Sequence, residues 1–482
     1  MQLISPGRLF QIPAFKECFH AEIVPPNKVL LFDEQNRRHL LEGWPYVLLS
    51  PYLIEKRYSL DEIVVHLEEK LSEAEVYYAL MRMEEKGLLE EASQGLPPPL
   101  KAASNLLGVS TEDATHRLKT ATVSLETIGD INIDPFGEAL ETLSLRIADQ
   151  GTLSIVVTDN YRNPTLREKF IKSQKPLLLV KPVGVEIWVG PLLIPGKTAC
   201  LDCLAEALRK NAAEERFIEK ETGNLVTVKK ATLETTTRIA YNLAAHEVFK
   251  WVVQQTNLAI EGQILSYSLL QSSITPHRVI RRPHCPSCGK PMPQEPSPLI
   301  LENQKKEFTE DGGHRGVSPE ETYQRYQHLI SPLTGLLTHF KRTTHEQPSQ
   351  MHTYTVEHHA RELELQSPLS LEKLRTTSGG KGKTEAQGKA SCLCEAIERC
   401  SGIFQGTEFR KKGSFQQIAK EAIHPSTLLL FSDHQYGIRK DWNESCQPSQ
   451  YIPVPFDEKK EIDWTPTWSL TEKRFKWIPT GI

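Results

Sequence analysis

The chain has 482 residues, a formal net charge of −4, and 39% hydrophobic and 24% charged residues. This length is too great for a single compact core, and the composition is typical of a globular protein. The slightly negative charge argues against nucleic acid as the main partner, because phosphate binding requires a basic surface. No run approaches the roughly 20 apolar residues of a membrane-spanning helix, and signal-peptide features are absent, so we expect a cytoplasmic protein.

The first unit, residues 1–93, has the pattern of a winged helix. Alternating apolar residues at 21–24 and 29–32 predict a hairpin, and residues 38–41 predict a third strand. Ser-x-x-Glu boxes at Ser59 and Ser72 predict two helix starts. Such a fold often binds DNA, but this one carries acidic residues that would repel phosphates: Glu68, Glu69, Glu73, Glu75, Glu84 and Glu85. A purely structural N-terminal domain is the alternative.

The second unit, residues 100–300, follows a linker with the sequence GLPPP and has an α/β pattern. Strands are expected at 153–161 and 176–190, and helices at 138–147 and 236–255. A polar stretch at 298–315 predicts a second linker. The third unit occupies residues 311–482.

Two Cys-x-x-Cys pairs, Cys200 with Cys203 and Cys285 with Cys288, indicate a metal site. Four thiolates complete a tetrahedron around zinc and leave no open position, so the zinc would be structural. A redox role is the lesser alternative, because no thioredoxin-like unit surrounds either pair.

The sequence SGGKGK at 378–383 predicts a flexible, glycine-rich turn with two lysines, followed by a helix that a Thr-x-x-Gln box opens at Thr384. Free amides at a helix start, together with glycines and lysines, form a phosphate cradle, although the spacing is not that of a Walker A loop. Three cysteines in this helix are interpreted as core residues: Cys392, Cys394 and Cys400.

One face of this helix carries Gln387, Ser391, Glu395 and Glu398 at steps of four, four and three residues. Two carboxylates one turn apart, beside a phosphate cradle, are what Mg²⁺ bridging a nucleotide requires. The alternative is a solvated face on which Glu395 pairs with Arg399. The preceding glycine-lysine segment favours the nucleotide interpretation.

The segment from residue 378 to Arg399 is similar to the nucleotide-binding segment of the YcaO family, and the order of units resembles the fused cyclodehydratases (heterocyclases) of cyanobactin pathways. The resemblance implies a multidomain α+β and α/β fold. It comprises a winged-helix peptide-recognition domain, an adenylating-enzyme-like domain with a four-cysteine zinc site, and a partial YcaO domain.

The resemblance also implies the reaction. The leader of a ribosomally made precursor peptide binds the winged helix, and a core cysteine (or Ser/Thr) adds to the preceding backbone carbonyl. ATP and Mg²⁺ then drive loss of the oxygen, which leaves thiazoline or oxazoline.

By carry-over, Glu395 and Glu398 would hold Mg²⁺ with Ser391 in the same set, and Lys381 would contact phosphate. The leader would add a strand at His39, Leu40 and Leu41. It would also pack on the helix that begins after Ser72, at Val76 and Leu80. No catalytic residue is assigned. A homodimer, or completion by a second chain, is a further expectation.

Two departures accompany the resemblance. The middle unit lacks a G-x-G-x-x-G loop after a strand, so an independent adenylating enzyme is disfavoured and a scaffold role is expected. Family members continue past residue 482, which predicts a C-terminally truncated catalytic domain. The alternative function is therefore a leader-binding scaffold without chemistry.

Overall fold

The structure is a computed structural model that describes residues 10–224, 226, 228–290, 295–308, 314–343, 351–359, 375–406, 408–446 and 450–481. Two compact units divide the chain: Met1–Ala205 with Val226–Val279, and Glu206–Leu225 with Ile280–Ile482. Within the described ranges, every helix is too short or too polar to span a lipid bilayer. The three-domain division stays a prediction.

The N-terminal part has the strands and helices of a winged helix. Its elements are β1 (Pro13–Phe15), β2 (His20–Val24), β3 (Lys28–Phe32), β4 (Arg38–Glu42), α1 (Trp44–Glu55), α2 (Leu60–Leu67), α3 (Glu73–Glu85) and β5 (Leu89–Glu91). Strands β2, β3 and β4 form an antiparallel sheet in that order, and β1 pairs with β5. Both predicted capping boxes are made, at Ser59 before α2 and at Ser72 before α3.

A seven-stranded sheet follows in the same unit, with the order β12-β11-β10-β9-β8-β6-β7. The elements of this unit are α4 (Pro98–Leu106), α5 (Thr111–Thr120), β6 (Thr122–Ile128), α6 (Asp134–Thr142), β7 (Arg146–Ile147), β8 (Leu153–Thr158), α7 (Pro164–Phe170), β9 (Leu177–Lys181), β10 (Glu186–Leu193), α10 (Glu234–Gln254), β11 (Gln263–Ser268) and β12 (Ser273–Arg278). Helix α8 (Leu201–Asn211) begins in this unit and ends in the second, and α9 (Ala213–Thr222) belongs to the second unit. Strands β6 to β9 run parallel. Every residue of β8 and β9 is buried, as expected for parallel strands that are covered on both faces.

The helix expected at 138–147 is corrected by the structure. Helix α6 ends at Thr142, and residues 146–147 form the edge strand β7. Ser144 takes a left-handed conformation with φ 60°, and the Leu145 amide donates to the Leu140 carbonyl at 3.1 Å. This backbone hydrogen bond closes the end of the helix. The apolar spacing that predicted a longer helix continues past Thr142, but the chain there is no longer helical. Helix α4 begins inside the predicted linker, with proline in its first turn.

The second unit contains two three-stranded antiparallel sheets with orders β13-β14-β15 and β16-β17-β18. Its remaining elements are α11 (Pro319–Tyr326), a 3-10 helix (Gln327–Leu329), β13 (Leu337–Arg342), β14 (His352–His359), β15 (Arg375–Gly382), α12 (Glu385–Ser401), β16 (Lys411–Gly413), α13 (Phe415–Ile418), α14 (Pro425–Leu429), α15 (Asp433–Gly437), α16 (Arg439–Ser445), β17 (Ile462–Ser469) and β18 (Arg474–Pro479). Helix α12 packs on β14 and β15 through a core that includes Leu393 and Ala396.

Candidate functional site

The glycine-rich segment before α12 is not a turn. Residues 375–382 form strand β15, which pairs along its whole length with β14. A Cβ atom on Gly380 would lie 2.0 Å from the backbone nitrogen of Cys392, and one on Gly382 would lie 2.5 Å from Cγ of Gln387. These glycines therefore let a strand and a helix approach closely, and the predicted flexible turn is wrong.

The strand geometry also decides where Lys381 lies. Side chains alternate along a strand, and Gly380 and Gly382 face α12. Lys381 is exposed and leaves from the opposite face, as does Thr377. The prediction that Lys381 contacts phosphate rested on a loop, so it now requires the long side chain to reach around the sheet edge.

Helix α12 begins where the sequence predicted. Thr384 caps it, because its hydroxyl oxygen accepts from the Gln387 amide at 3.2 Å. The other half of the predicted box, in which Gln387 would accept from the Thr384 amide, is not among the bonds found in the described part of the chain. The Gln387 side chain is instead buried, with 5% of its surface exposed.

The predicted polar face of α12 runs from a buried end to an exposed end. Ser391 and Glu395 are half-buried, and Glu398 is exposed. Arg399 donates to a single carboxylate oxygen of Glu395, Oε1, from Nε at 3.1 Å and from Nη2 at 2.9 Å. The ion pair proposed as the alternative interpretation is therefore present. In the described part of the chain, Glu395 Oε2 and the Glu398 carboxylate make no such ion pair. Carboxylate oxygens are hard ligands of the kind that Mg²⁺ takes.

Two cysteines of α12 belong to its core: Cys392 lies in the buried cluster and Cys400 packs against it, whereas Cys394 is half-buried outside it. Cys392 is fully buried, and burial raises the pKa of its thiol to about 12. Burial likewise raises the pKa of Cys400 to about 11. A raised pKa lowers the fraction of thiolate at neutral pH, so these thiols are poor nucleophiles.

The two Cys-x-x-Cys pairs come together. The sulfur atoms of Cys200, Cys203, Cys285 and Cys288 all lie within 4.8 Å of one another. The Gly289 amide donates to the Cys285 carbonyl at 2.9 Å, and a Cβ atom there would lie 2.3 Å from the Pro283 carbonyl oxygen. Glycine is thus required for this tight turn. Four clustered thiols fit the donor set of a tetrahedral zinc site.

The second cysteine turn has a further support. Arg281 Nε donates to the Cys288 carbonyl at 2.8 Å, and its Nη2 atom donates to the same oxygen. Beside the first pair, Asp202 is buried and accepts from Arg167 Nε at 2.7 Å. Such outer contacts hold ligating turns in place in metal sites.

The structure divides the predicted leader surface into buried and exposed side chains. Strand β4 lies at an edge of its sheet, as expected. However, Leu41, Val76 and Leu80 are buried in the winged-helix core, so their side chains stabilise the domain. Leu40 is 48% exposed on β4, and α3 exposes two large side chains that the helical spacing could have identified: Tyr78 and Met81.

Two family models match different parts of the chain, and solved structures match nearly all of it. Residues 379–482 match a family model described as YcaO cyclodehydratase, ATP- and Mg²⁺-binding, and residues 14–91 match one described as a winged helix-turn-helix domain. A solved structure of a heterocyclase in complex with substrate and cofactor has a TM-score of 0.85 and 36% identity over 98% of this chain and 64% of that chain. The structure of the heterocyclase TruD gives 0.77 and 32% over 97% and 63%, respectively.

No protein among the curated sequences matches. The chain therefore combines a winged helix and a segment similar to YcaO cyclodehydratases in a mixed α/β multidomain architecture. More particularly, this chain has the heterocyclase fold, which confirms the resemblance and the predicted fold class. The chain spans 64% and 63% of the lengths of the two heterocyclases.

Proposed function

We propose that the chain takes part in ATP-dependent cyclodehydration of cysteine, and of Ser/Thr as a further substrate class, in a ribosomally made precursor peptide of the cyanobactin type. The product is thiazoline or oxazoline. The observation that carries the proposal is the YcaO segment at 379–482 with an open acidic face on α12.

The acidic end of α12 is the proposed Mg²⁺ and nucleotide site. Glu395 Oε2 and the Glu398 carboxylate would hold Mg²⁺, with the Ser391 hydroxyl in the same set, and Lys381 would reach a phosphate from β15. Hard oxygen ligands one turn apart fit Mg²⁺. ATP, when bound, supplies the phosphoryl group that makes the oxygen of the attacked carbonyl a good leaving group.

The test is intact-mass spectrometry of a leader-bearing, cysteine-containing peptide incubated with the chain, ATP and Mg²⁺. We expect each cyclised cysteine to lose the mass of one water, and Glu395→Gln to abolish the loss. Glu385→Gln is the matched control, because Glu385 lies on the same helix in an i,i+4 pair with Lys389 at 2.6 Å. A mass loss that survives Glu395→Gln contradicts the site.

A second candidate is a leader-binding scaffold without chemistry. It is supported by the winged helix at residues 14–91, whose edge strand β4 can accept a peptide strand without a nucleotide. Peptide binding without mass loss, in a folded chain that contains its metal, would favour this candidate over the enzyme.

The four-cysteine cluster is the proposed structural zinc site. Elemental analysis of the purified chain is expected to give one zinc, and Cys288→Ser is expected to lower both zinc content and melting temperature, because structural zinc contributes folding free energy. Cys446→Ser is the control, since Cys446 lies outside the cluster. Full zinc content in Cys288→Ser would contradict the assignment.

The edge of β4 is the proposed leader site. An edge strand offers backbone groups to an added antiparallel strand, and exposed side chains such as Leu40 and Met81 supply apolar contacts. His39 is half-buried on the same strand. Fluorescence polarisation with a labelled leader peptide should show weaker binding for Leu40→Asp, while Leu270→Asp, at another exposed leucine, should bind normally.

Location and assembly complete the proposal. We place the reaction in the cytoplasm, without a nucleic-acid or membrane partner. A homodimer or completion by a second chain is tested by light scattering of the purified chain, alone and with leader peptide.

A further inference from the structure

Gln387 belongs to the polar face of α12 but has no part in the proposed metal site. Its side chain is 5% exposed, and its Oε1 atom has no hydrogen-bond partner in the described part of the chain. A buried acceptor without a partner is costly and uncommon, so it requires an explanation.

Other helices of the chain show what this side chain would ordinarily do. At α15, where Gln435 occupies the same third position, Oε1 accepts from the Ser432 amide at 2.9 Å. At α13, Gln417 accepts from the Ser414 amide at 2.9 Å. Gln387 follows the same Ser/Thr-x-x-Gln pattern, yet its oxygen is withheld from the cap.

The packing explains why the Gln387 side chain lies where it does. Cβ and Cγ of Gln387 lie directly against Gly382 of β15, where any side chain on the strand would collide with them. The helix start and the strand thus hold the carboxamide at the N-terminal end of the polar face. The acceptor is positioned by the fold and left for another group.

Only some chemical groups could be the hydrogen-bond partner of Gln387 Oε1. A carboxamide oxygen only accepts, so the partner donates an N–H or O–H, and a phosphate oxygen is excluded. Glu395 lies eight residues further along α12, about 12 Å at 1.5 Å per residue. An Mg²⁺ ion with ligands at about 2.1 Å cannot be shared over that distance. A nucleotide is elongated and carries its N–H and O–H donors on the nucleoside, away from the metal-bound phosphates.

We propose that Gln387 recognises the nucleoside end of the nucleotide, where Oε1 accepts a hydrogen bond from a base amino group or a ribose hydroxyl. The inference rests on the proposed function, since it requires a nucleotide along α12 with its phosphates at Glu395 and Glu398. The oxygen is covered in the ligand-free chain, so the contact forms as the carboxamide turns about its last torsion, which is soft.

The test is calorimetric titration of the full chain with ATP, inosine triphosphate, and 2′- and 3′-deoxyATP, all with Mg²⁺. Gln387→Met keeps the length of the side chain and removes the acceptor. We expect it to weaken ATP binding about tenfold, the value of one hydrogen bond, and to erase the wild-type preference over one analogue. Inosine triphosphate identifies a base amino group as the donor, and the deoxy compounds identify a ribose hydroxyl.

Gln435→Met is the matched control, because it makes the same change at the same helix position. It should lower the melting temperature and leave nucleotide affinity unchanged. Gln387→Met should keep or raise the melting temperature of the ligand-free chain, since an unpartnered buried acceptor is removed.

Unchanged ATP affinity in Gln387→Met, or a wild-type chain that binds all four nucleotides equally, overturns this inference and leaves the proposed function intact. A folded wild-type chain that binds no nucleotide overturns the proposed function, and the inference with it.

Discussion

Two three-stranded antiparallel sheets, β2-β3-β4 and β13-β14-β15, place an edge strand at each proposed site. On β4 the side chains carry the structural information: Leu41 is buried and Leu40 is exposed. On β15 the residues without side chains determine the packing, because Gly380 and Gly382 let α12 approach closely. Two sheets with the same topology are therefore specified by different kinds of residues. An alternating strand is specified by its own residues, and a glycine strand by the element packed on it.

The largest expected effect is at the buried leucine of β4. Leu41→Ala should lower the free energy of unfolding by about 2–5 kcal/mol, because it opens a cavity in the winged-helix core. Denaturant unfolding measures this. Leu40→Ala is the neighbouring control and should change stability by less than about 0.5 kcal/mol. Equal losses in both variants would contradict the assigned faces of β4.

The glycines of β15 give the next effect. Gly380→Ala should lower the free energy of unfolding by about 3 kcal/mol, because its Cβ would lie 2.0 Å from a backbone atom of α12. The matched change is Gly379→Ala, whose Cβ would meet the Tyr354 carbonyl oxygen at 3.8 Å and no other atom of the described residues within 4 Å. We expect that variant to be neutral or slightly stabilised, since glycine within a strand costs conformational entropy. A tolerated Gly380→Ala would restore the flexible-turn interpretation.

These two edges show what could be predicted from sequence. The winged helix follows from local signals, namely alternation in β2, β3 and β4 and capping boxes at Ser59 and Ser72. The cysteine spacing likewise predicts the observed cluster. Each of these signals depends on residues close together in sequence, although the cluster itself joins two pairs that are far apart in the chain.

What could not be predicted depends on packing between distant residues. Gly380 meets Cys392, and the role of that glycine is invisible without the helix. Val76 and Leu80 have helical spacing, but spacing alone does not tell a core face from a binding face. The C-terminal limit of α6 depends on Ser144, a residue type with no strong preference for a left-handed conformation.

A smaller effect is expected at two helix caps, Ser72 before α3 and Thr384 before α12. Ser72→Ala should cost about 1 kcal/mol at neutral pH. The Ser72 hydroxyl and then its backbone amide donate to Glu75 and hold the pKa of that carboxyl below its ordinary value. A lowered folded-state pKa stabilises the fold above the unfolded pKa, and this stability is lost as pH falls through the folded value.

Removing the Ser72 hydroxyl should therefore make stability less dependent on pH on the acid side. The cap of α12 pairs Thr384 with an uncharged Gln387, so Thr384→Ala should lower stability without changing the pH dependence. Urea unfolding at a series of pH values separates the two. The same change of acid slope in both variants would contradict the role of Glu75.

The smallest expected effect concerns Lys381, whose predicted role depended on the flexible turn. The lysine is exposed on the face of β15 opposite α12, so any phosphate contact is solvent-screened and contributes less than about 1 kcal/mol. Lys381→Ala should therefore raise the Kd for ATP only about threefold, without changing stability. Lys412→Ala, at an exposed position on β16, is the charge-matched control and should have no effect. A loss in Lys381→Ala as large as that in Glu395→Gln would mean that the β15 edge turns toward the nucleotide when it binds, and that side chains as well as glycines carry function on this strand.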